Sequence, residues 1–333
     1  MFFKVLKKNL NTIKENLCVH GRVKFDQNGA ALAWSASGFT INFKGRIAVF
    51  SFCELSNIDT SVIIRIKADG VNSKYSISNG KENIIIDFEK DGAHSIELLR
   101  ISFSSGALYV KNVAIYGGNP EIQKAQKDYR LKMEFLGDSI TCGYGLYGVE
   151  ERYVSFEEDA TKTYAYLTAK HFNAEARLLG WSGTGISCSC SGQTSNNFDR
   201  FFTRELPTSD NNSWDFSVWQ PDVLVINGGT NDCGGGASKD DYKAAAKNLY
   251  ALARKVYPNA RIVFCLGAMG NAYHNQLNEL CREINTTDTN VYYKRLSSIC
   301  DNRDLYVGAN GHPSFIGQQR TAAELIEFLE KII

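Results

Sequence analysis

Proline is missing from the first 119 residues; five prolines occur in all, the earliest at Pro120. So long a stretch without proline leaves every backbone N–H able to donate, which suits a densely hydrogen-bonded sheet. Long apolar runs are missing too, and none of the runs present could cross a bilayer. The N-terminus, Met1-Phe-Phe-Lys-Val-Leu-Lys-Lys-Asn-Leu10, breaks its apolar residues with lysines and offers no small-residue cleavage site, so it reads as no export signal. Charge of one sign is absent: 37 Lys and Arg balance 36 Asp and Glu, for a net +1. Without a basic stripe, neither nucleic acid nor a membrane surface is an expected partner. Nine cysteines, an odd number, show no Cys-x-x-Cys pair. Reduced, mostly buried thiols in a cytoplasmic protein are the expectation. Cys188 and Cys190 stand close, but no histidine or second cysteine pair lies at metal-ligand spacing, so no metal is expected.

What is present divides the 333 residues in two. From about Val23 to Gly118 short runs rich in Val, Ile, Phe and Tyr recur: Thr40–Phe43, Ile47–Phe52, Val62–Ile66, Tyr75–Ile77, Ile84–Phe88, Ser95–Ile101 and Leu108–Ile115. Asn28-Gly29, Asp69-Gly70, Asn79-Gly80 and Asp91-Gly92 punctuate them as turns. Such spacing predicts an all-β sandwich over residues 1–120. A polar, lysine-rich stretch, 121–132, reads as a linker. Beyond it, strands at Met133–Leu136, Ala176–Leu179, Val223–Ile226, Ile262–Leu266 and Val291–Tyr293 alternate with helices near Thr161–Phe172, Asp240–Tyr257, Asn275–Ile284 and Ser314–Ile332. Alternation of this kind over 133–333 predicts an α/β domain with a parallel sheet covered on both faces. Its site is expected outside the carboxyl ends of the strands.

Four patches fall at the end of a predicted strand or the start of the last helix: Gly137-Asp138-Ser139, Ser182-Gly183, Gly229-Thr230-Asn231-Asp232 and His312-Pro313. Each alone is an ordinary turn or cap. A serine hydroxyl becomes a nucleophile only when a base takes its proton. Ser139 can be that serine and His312, in a glycine-flanked loop before the last helix, that base. The Gly183 N–H and the Asn231 amide can donate to a developing oxyanion. The other histidines, His20, His94, His171 and His274, read as structural. Trp181 and Tyr273, from loops at the same edge, could stack on a sugar ring, though packing explains each nearly as well.

The order Gly-Asp-Ser, Gly, Gly-x-Asn-Asp, His resembles the SGNH (GDSL) hydrolase superfamily. The strings Phe-Leu-Gly-Asp-Ser-Ile-Thr-Cys-Gly-Tyr-Gly and Trp-Gln-Pro-Asp-Val-Leu-Val-Ile-Asn-Gly-Gly-Thr-Asn-Asp resemble, more narrowly, carbohydrate esterase family 2. That likeness covers nearly the whole chain. It implies an N-terminal jelly-roll sandwich and a C-terminal three-layer, flavodoxin-like SGNH domain, Ser139 as nucleophile and His312 as base. It further implies an oxyanion hole from Ser139, Gly183 and Asn231, no cofactor, and an acetylated oligo- or polysaccharide as substrate, with transacetylation as a side path. The sandwich would wall the cleft rather than bind glycan. Many SGNH enzymes carry aspartate three residues before the histidine; here Ala309 stands there, followed by Asn310. A Ser139–His312 dyad is therefore expected, its orienter a backbone carbonyl or, less readily, Asp301 or Asp304.

Two other motifs are set aside. Gly143-Tyr-Gly-Leu-Tyr-Gly148 spells G-x-G-x-x-G but does not open a helix at once, nor is an acid placed after the next strand, as a dinucleotide site requires. Gly234-Gly235-Gly236 with Lys239 lacks the ending of a phosphate-binding loop. The remaining alternatives are a non-catalytic carbohydrate-binding protein and a lipid or thioester hydrolase on the same domain.

Overall fold

The computed structural model describes residues 3–54, 61–78, 82–103, 106–149, 151–152, 154–195, 197–209 and 213–333. The chain divides into two compact units, Met1–Asp128 and Tyr129–Ile333.

Among the described residues of the first unit, ten strands form one antiparallel sheet. They are β1 (Lys4–Asn9), β2 (Cys18–His20), β3 (Val23–Asp26), β4 (Gly29–Leu32), β5 (Gly38–Glu54), β6 (Val62–Ala68), β7 (Val71–Ile77), β8 (Asn83–Arg100), β9 (Leu108–Gly117) and β10 (Glu121–Gln123). The spine runs β3-β4-β9-β5-β8-β6-β7, with β1 added to β9 and both β2 and β10 to β5. The long partners β5 and β8, of 17 and 18 residues, carry the sheet around its own apolar side in a jelly-roll-like curl. Phe39, Phe43, Phe50, Ile64, Leu98 and Ile115 fill the inside.

Local chemistry explains where the strands reverse. Asp69-Gly70 closes the β6–β7 hairpin with both residues at positive φ, 44° and 94°, the backbone that a two-residue turn of right-twisted strands requires. The β3–β4 hairpin closes through Gln27 and Asn28, with Gly29 already paired to Asp26. Asp91-Gly92 is not a turn. Gly92 pairs with Gly45 inside the β5–β8 ladder, whose register slips between Gly45 and Ile47, so the glycines bend two long strands where shorter ones were expected. Asn79-Gly80 lies outside the described residues. The linker reading of 121–132 also needs correction. Glu121–Gln123 pair with Asn42–Lys44, and Leu131 already opens the next sheet, leaving only a short connection.

The second unit holds a parallel sheet of β11 (Leu131–Gly137), β12 (Ala174–Gly180), β13 (Val223–Asn227), β14 (Arg261–Ala268) and β15 (Val291–Ser298), in the order β12-β11-β13-β14-β15. Central β13 is buried at every residue, as expected of a strand covered on both faces. The helices are α1 (Ser139–Cys142), α2 (Tyr164–His171), α3 (Phe198–Phe202), α4 (Thr230–Gly234), α5 (Lys239–Val256), α6 (His274–Ile284), α7 (Arg303–Tyr306) and α8 (Phe315–Leu329). The long α5 begins where the Ser238 hydroxyl accepts from the Asp241 N–H at 3.0 Å. It places Asp240 and Asp241 in its first turn and Arg254 and Lys255 in its last, complementing its dipole. It buries Tyr242, Ala246, Leu249 and Ala253 along one stripe. The last helix, α8, buries Ala322, Leu325 and Leu329, with Ile326 and Phe328 at the edge of that face.

The strand order reverses direction between β11 and β13, the switch point where a crevice opens in such sheets. Gly137 pairs with Gly180 on one side and Asn227 on the other, so three loops leave the sheet at one level.

Candidate active site

Those loops carry the first three patches. Asp138 caps α1, its carboxylate accepting from the Ile140 N–H at 2.9 Å, and this turn sets Ser139 at the first position of the helix. The loop after β12 is fixed by the Trp181 N–H, which donates to the Gly137 carbonyl at 3.0 Å. Gly183 there adopts φ +79°, which a side chain would disfavour. Asn231 sits in the first turn of α4, after β13.

His312 arrives from the far end of the chain, and its Nε2 lies 2.8 Å from Ser139 Oγ. Its Nδ1 meets the Asn310 carbonyl at 3.1 Å, so the backbone takes the place of the absent carboxylate. Asp301 is engaged elsewhere, paired with Arg320 at 3.0 Å, and Asp304 is exposed on α7. Burial pulls the imidazole below its ordinary pKa, with hydrogen bonding to the Asn310 and Ala309 backbone opposing. Its resting form is the neutral one, with Nε2 free to accept the Ser139 proton.

The N–H groups of Ser139 and Gly183 have no hydrogen-bond partner among the described residues. The Asn231 amide is held from below: Nδ2 donates to the Thr184 carbonyl at 2.7 Å and, more weakly, to Asp138 Oδ2 at 3.3 Å. Burial pushes the Asp138 carboxyl up to about 7; the Ile140 N–H opposes this and the neighbouring Asp232 adds to it.

Asp232 escaped sequence reasoning as anything but a motif letter. It is fully buried, and its carboxylate accepts from the N–H groups of Ile186, Ser187 and Cys188 at 3.0, 2.6 and 3.2 Å and from the Ser187 hydroxyl at 2.7 Å. The residue beside Asn231 thus shapes the loop that presents Gly183. Gln318 was missed as well: it donates to the Ile140 carbonyl and accepts from the Tyr164 N–H, joining α8 to α1 and α2. A buried glutamine on the apolar face of α8 was the available signal.

The two aromatic candidates part ways. Trp181 is half-buried, with one ring face against Phe201, centroids 5.2 Å apart. Tyr273 is only 3% exposed, stacks on Tyr242 at 4.0 Å and donates its hydroxyl to the Ala237 carbonyl. It is a packing residue, and the sugar-stacking expectation for it is withdrawn. His20, His94, His171 and His274 pair with Thr40, Asp69, Glu330 and Tyr293. No disulfide joins any of the nine cysteines, and no group that could hold a metal occurs among the described residues. A cavity of about 640 Å³ opens at the ends of β14 and β15; Gly270 on its wall approaches Thr230, but none of the four site residues lines it.

Residues 135–320 match the GDSL-like lipase/acylhydrolase family over more than half of the chain. The chain belongs to that family. The GDSL-like region is part of a longer likeness. The cellulase/esterase CelE of Acetivibrio thermocellus is 31% identical over 92% of this chain, which spans 38% of CelE's own length. An acetylxylan esterase/glucomannan deacetylase of Cellvibrio japonicus is 26% identical over 75% of this chain and 70% of its own. Both units together resemble a family two carbohydrate esterase from Clostridium thermocellum, solved in complex with cellohexaose. There the TM-score is 0.83 and the identity 29%, over 95% of this chain and 98% of that one. The GDSL-like domain therefore comes with the two-part architecture of family 2 carbohydrate esterases.

Proposed function

We propose that this chain is a serine esterase that removes acetyl groups from carbohydrates. The observation that carries the reading is the 2.8 Å contact between Ser139 Oγ and His312 Nε2 at the rim of the sheet. The similarity to acetylxylan esterases and to a cellohexaose-binding esterase supports a sugar ester as substrate.

The chemistry follows from the geometry. His312 Nε2 takes the hydroxyl proton as Ser139 Oγ adds to the acetyl carbonyl. Charge on the former carbonyl oxygen is met by the N–H groups of Ser139 and Gly183 and by Asn231 Nδ2, which gives up its longer contact with Asp138. His312 then passes the proton to the departing sugar oxygen. Water, deprotonated by the same imidazole, releases acetate from the acetyl-serine. An acceptor sugar hydroxyl in place of water would give transacetylation. No step calls on a cofactor. Xylo-, manno- and gluco-configured oligosaccharides, acetylated at the 6-position among others, are the proposed range, with the half-exposed Trp181 ring beside the sugar. The absent aspartate would favour a decayed, purely binding site, but the Asn310 carbonyl already holds the imidazole.

Two measurements test the proposal. Acetate release from defined acetylated oligosaccharides should depend on Ser139, and acetyl esters should be cleaved at least about 10-fold faster than octanoyl esters. Absence of Ser139-dependent release from every acetylated sugar would sink it, and a preference for octanoyl would move it to lipids. The pH profile is a second check. His312 acts as base only when neutral, and burial lowers its pKa, so kcat/KM should rise with pH through a midpoint below 6.5 and be flat above neutrality. A midpoint at about 7 would instead give control to Asp138.

A further inference from the structure

We propose that Tyr144 is a positioning residue for His312: its side chain and the Asn310 amide form a clamp doing the work usually left to an aspartate. The proposal rests on the esterase reading above for its kinetic consequences, though not for its structural one.

Tyr144 belongs to the glycine-rich segment 143–148, which runs as turns after α1 rather than opening a helix. Its backbone N–H donates to the Ser139 carbonyl at 3.1 Å, fixing it to the turn that bears the nucleophile. Its ring lies against the imidazole, centroids 4.5 Å apart at 38°. Its hydroxyl accepts from Asn310 Nδ2 at 3.0 Å. The carbonyl of that same Asn310 receives His312 Nδ1. Asn310 stands in the left-handed region, φ 50° and ψ 34°, which asparagine tolerates but which surrounding contacts must hold. A closed circuit results: Ser139, Tyr144, Asn310, His312 and back to Ser139 Oγ. Releasing the Tyr144 hydroxyl frees the Asn310 peptide to rotate, and with it the acceptor that keeps the Nδ1 proton in place.

The neighbouring glycines explain why no acid sits at 309. The Ala309 N–H donates to the Gly145 carbonyl at 3.0 Å. A Cβ placed on Gly145 or Gly148 would come within 2.9 or 2.6 Å of the Ala309 Cβ. Ala309 is 1% exposed against this floor, and a carboxylate there would have nowhere to go. The small residues and the tyrosine are two halves of one arrangement that excludes aspartate and replaces it.

Tyr144→Phe keeps the ring and removes only the hydroxyl; Asn310→Gly keeps the left-handed backbone and removes only the amide. Each should lower kcat about 10-fold with KM little changed, the kinetic equivalent of one hydrogen bond. The double variant should be no slower than either single one. Nitrogen NMR of the His312 ring should show the Nε2-protonated tautomer gaining in both variants, a change that mere packing would not produce. Unaltered kcat and tautomer in both would overturn the proposal. Wild-type protein without Ser139-dependent turnover would sink the esterase reading alone, and the tautomer measurement would still decide the clamp.

Discussion

With Ser139 changed to alanine, initial rates on an acetyl ester should fall by about 10⁴-fold or more, and His312→Ala should reach the same floor. The two side chains act as one unit, since a base without its nucleophile and a nucleophile without its base are equally idle. The double variant should therefore be no slower than either single one. Residual rate above water would come from the Ser139 and Gly183 N–H groups and Asn231. Ser139 lies at the helix start without accepting a capping bond, so the melting temperature should move little, and a loss of rate with an intact melt isolates the chemistry. A Ser139→Ala protein retaining more than a small fraction of activity would remove the serine from the mechanism.

The second large effect is expected at a residue that touches no substrate. Asp232→Ala strands three backbone N–H groups and a hydroxyl in a buried site. At about 1–3 kcal/mol for each buried donor left unmatched, several kcal/mol of stability are at stake. Stabilities of about 5–15 kcal/mol make that a large share. Thermal melts should show the second unit falling by about 10 °C or more. Activity measured well below the melt should also drop, because the loop bearing Gly183 loses its anchor. An unshifted melt would mean that the loop has another support.

Sequence pattern captured what depends on neighbours in the chain. The apolar run Val223–Ile226 reads as a strand and Asp240–Tyr257 as a helix, and the structure has β13 and α5 there. Three of the four patches follow a strand and His312 precedes the last helix, so the periodicity of strands and helices located them as well. Where the outcome depended on a distant partner, the pattern misled or said nothing. Asp91-Gly92 looks like a turn, but its pairing with Gly45 makes it a bend. Tyr273 looks like a loop aromatic until Tyr242 covers it. Glu121–Gln123 carries one apolar residue, Ile122, too weak a signal for a strand until β5 is beside it. Tyr144 and Asn310 are 166 residues apart, and no local rule connects them.

Gln318 lends the fold a property in time as well as space. The Ser139 hydroxyl precedes by 173 residues the imidazole that it meets, and the glutamine that braces its helix comes later still. A nascent or C-terminally clipped chain would carry the hydroxyl without its partner. On the esterase reading such a chain holds a serine without its base, so turnover would report that the loop bearing His312 has docked.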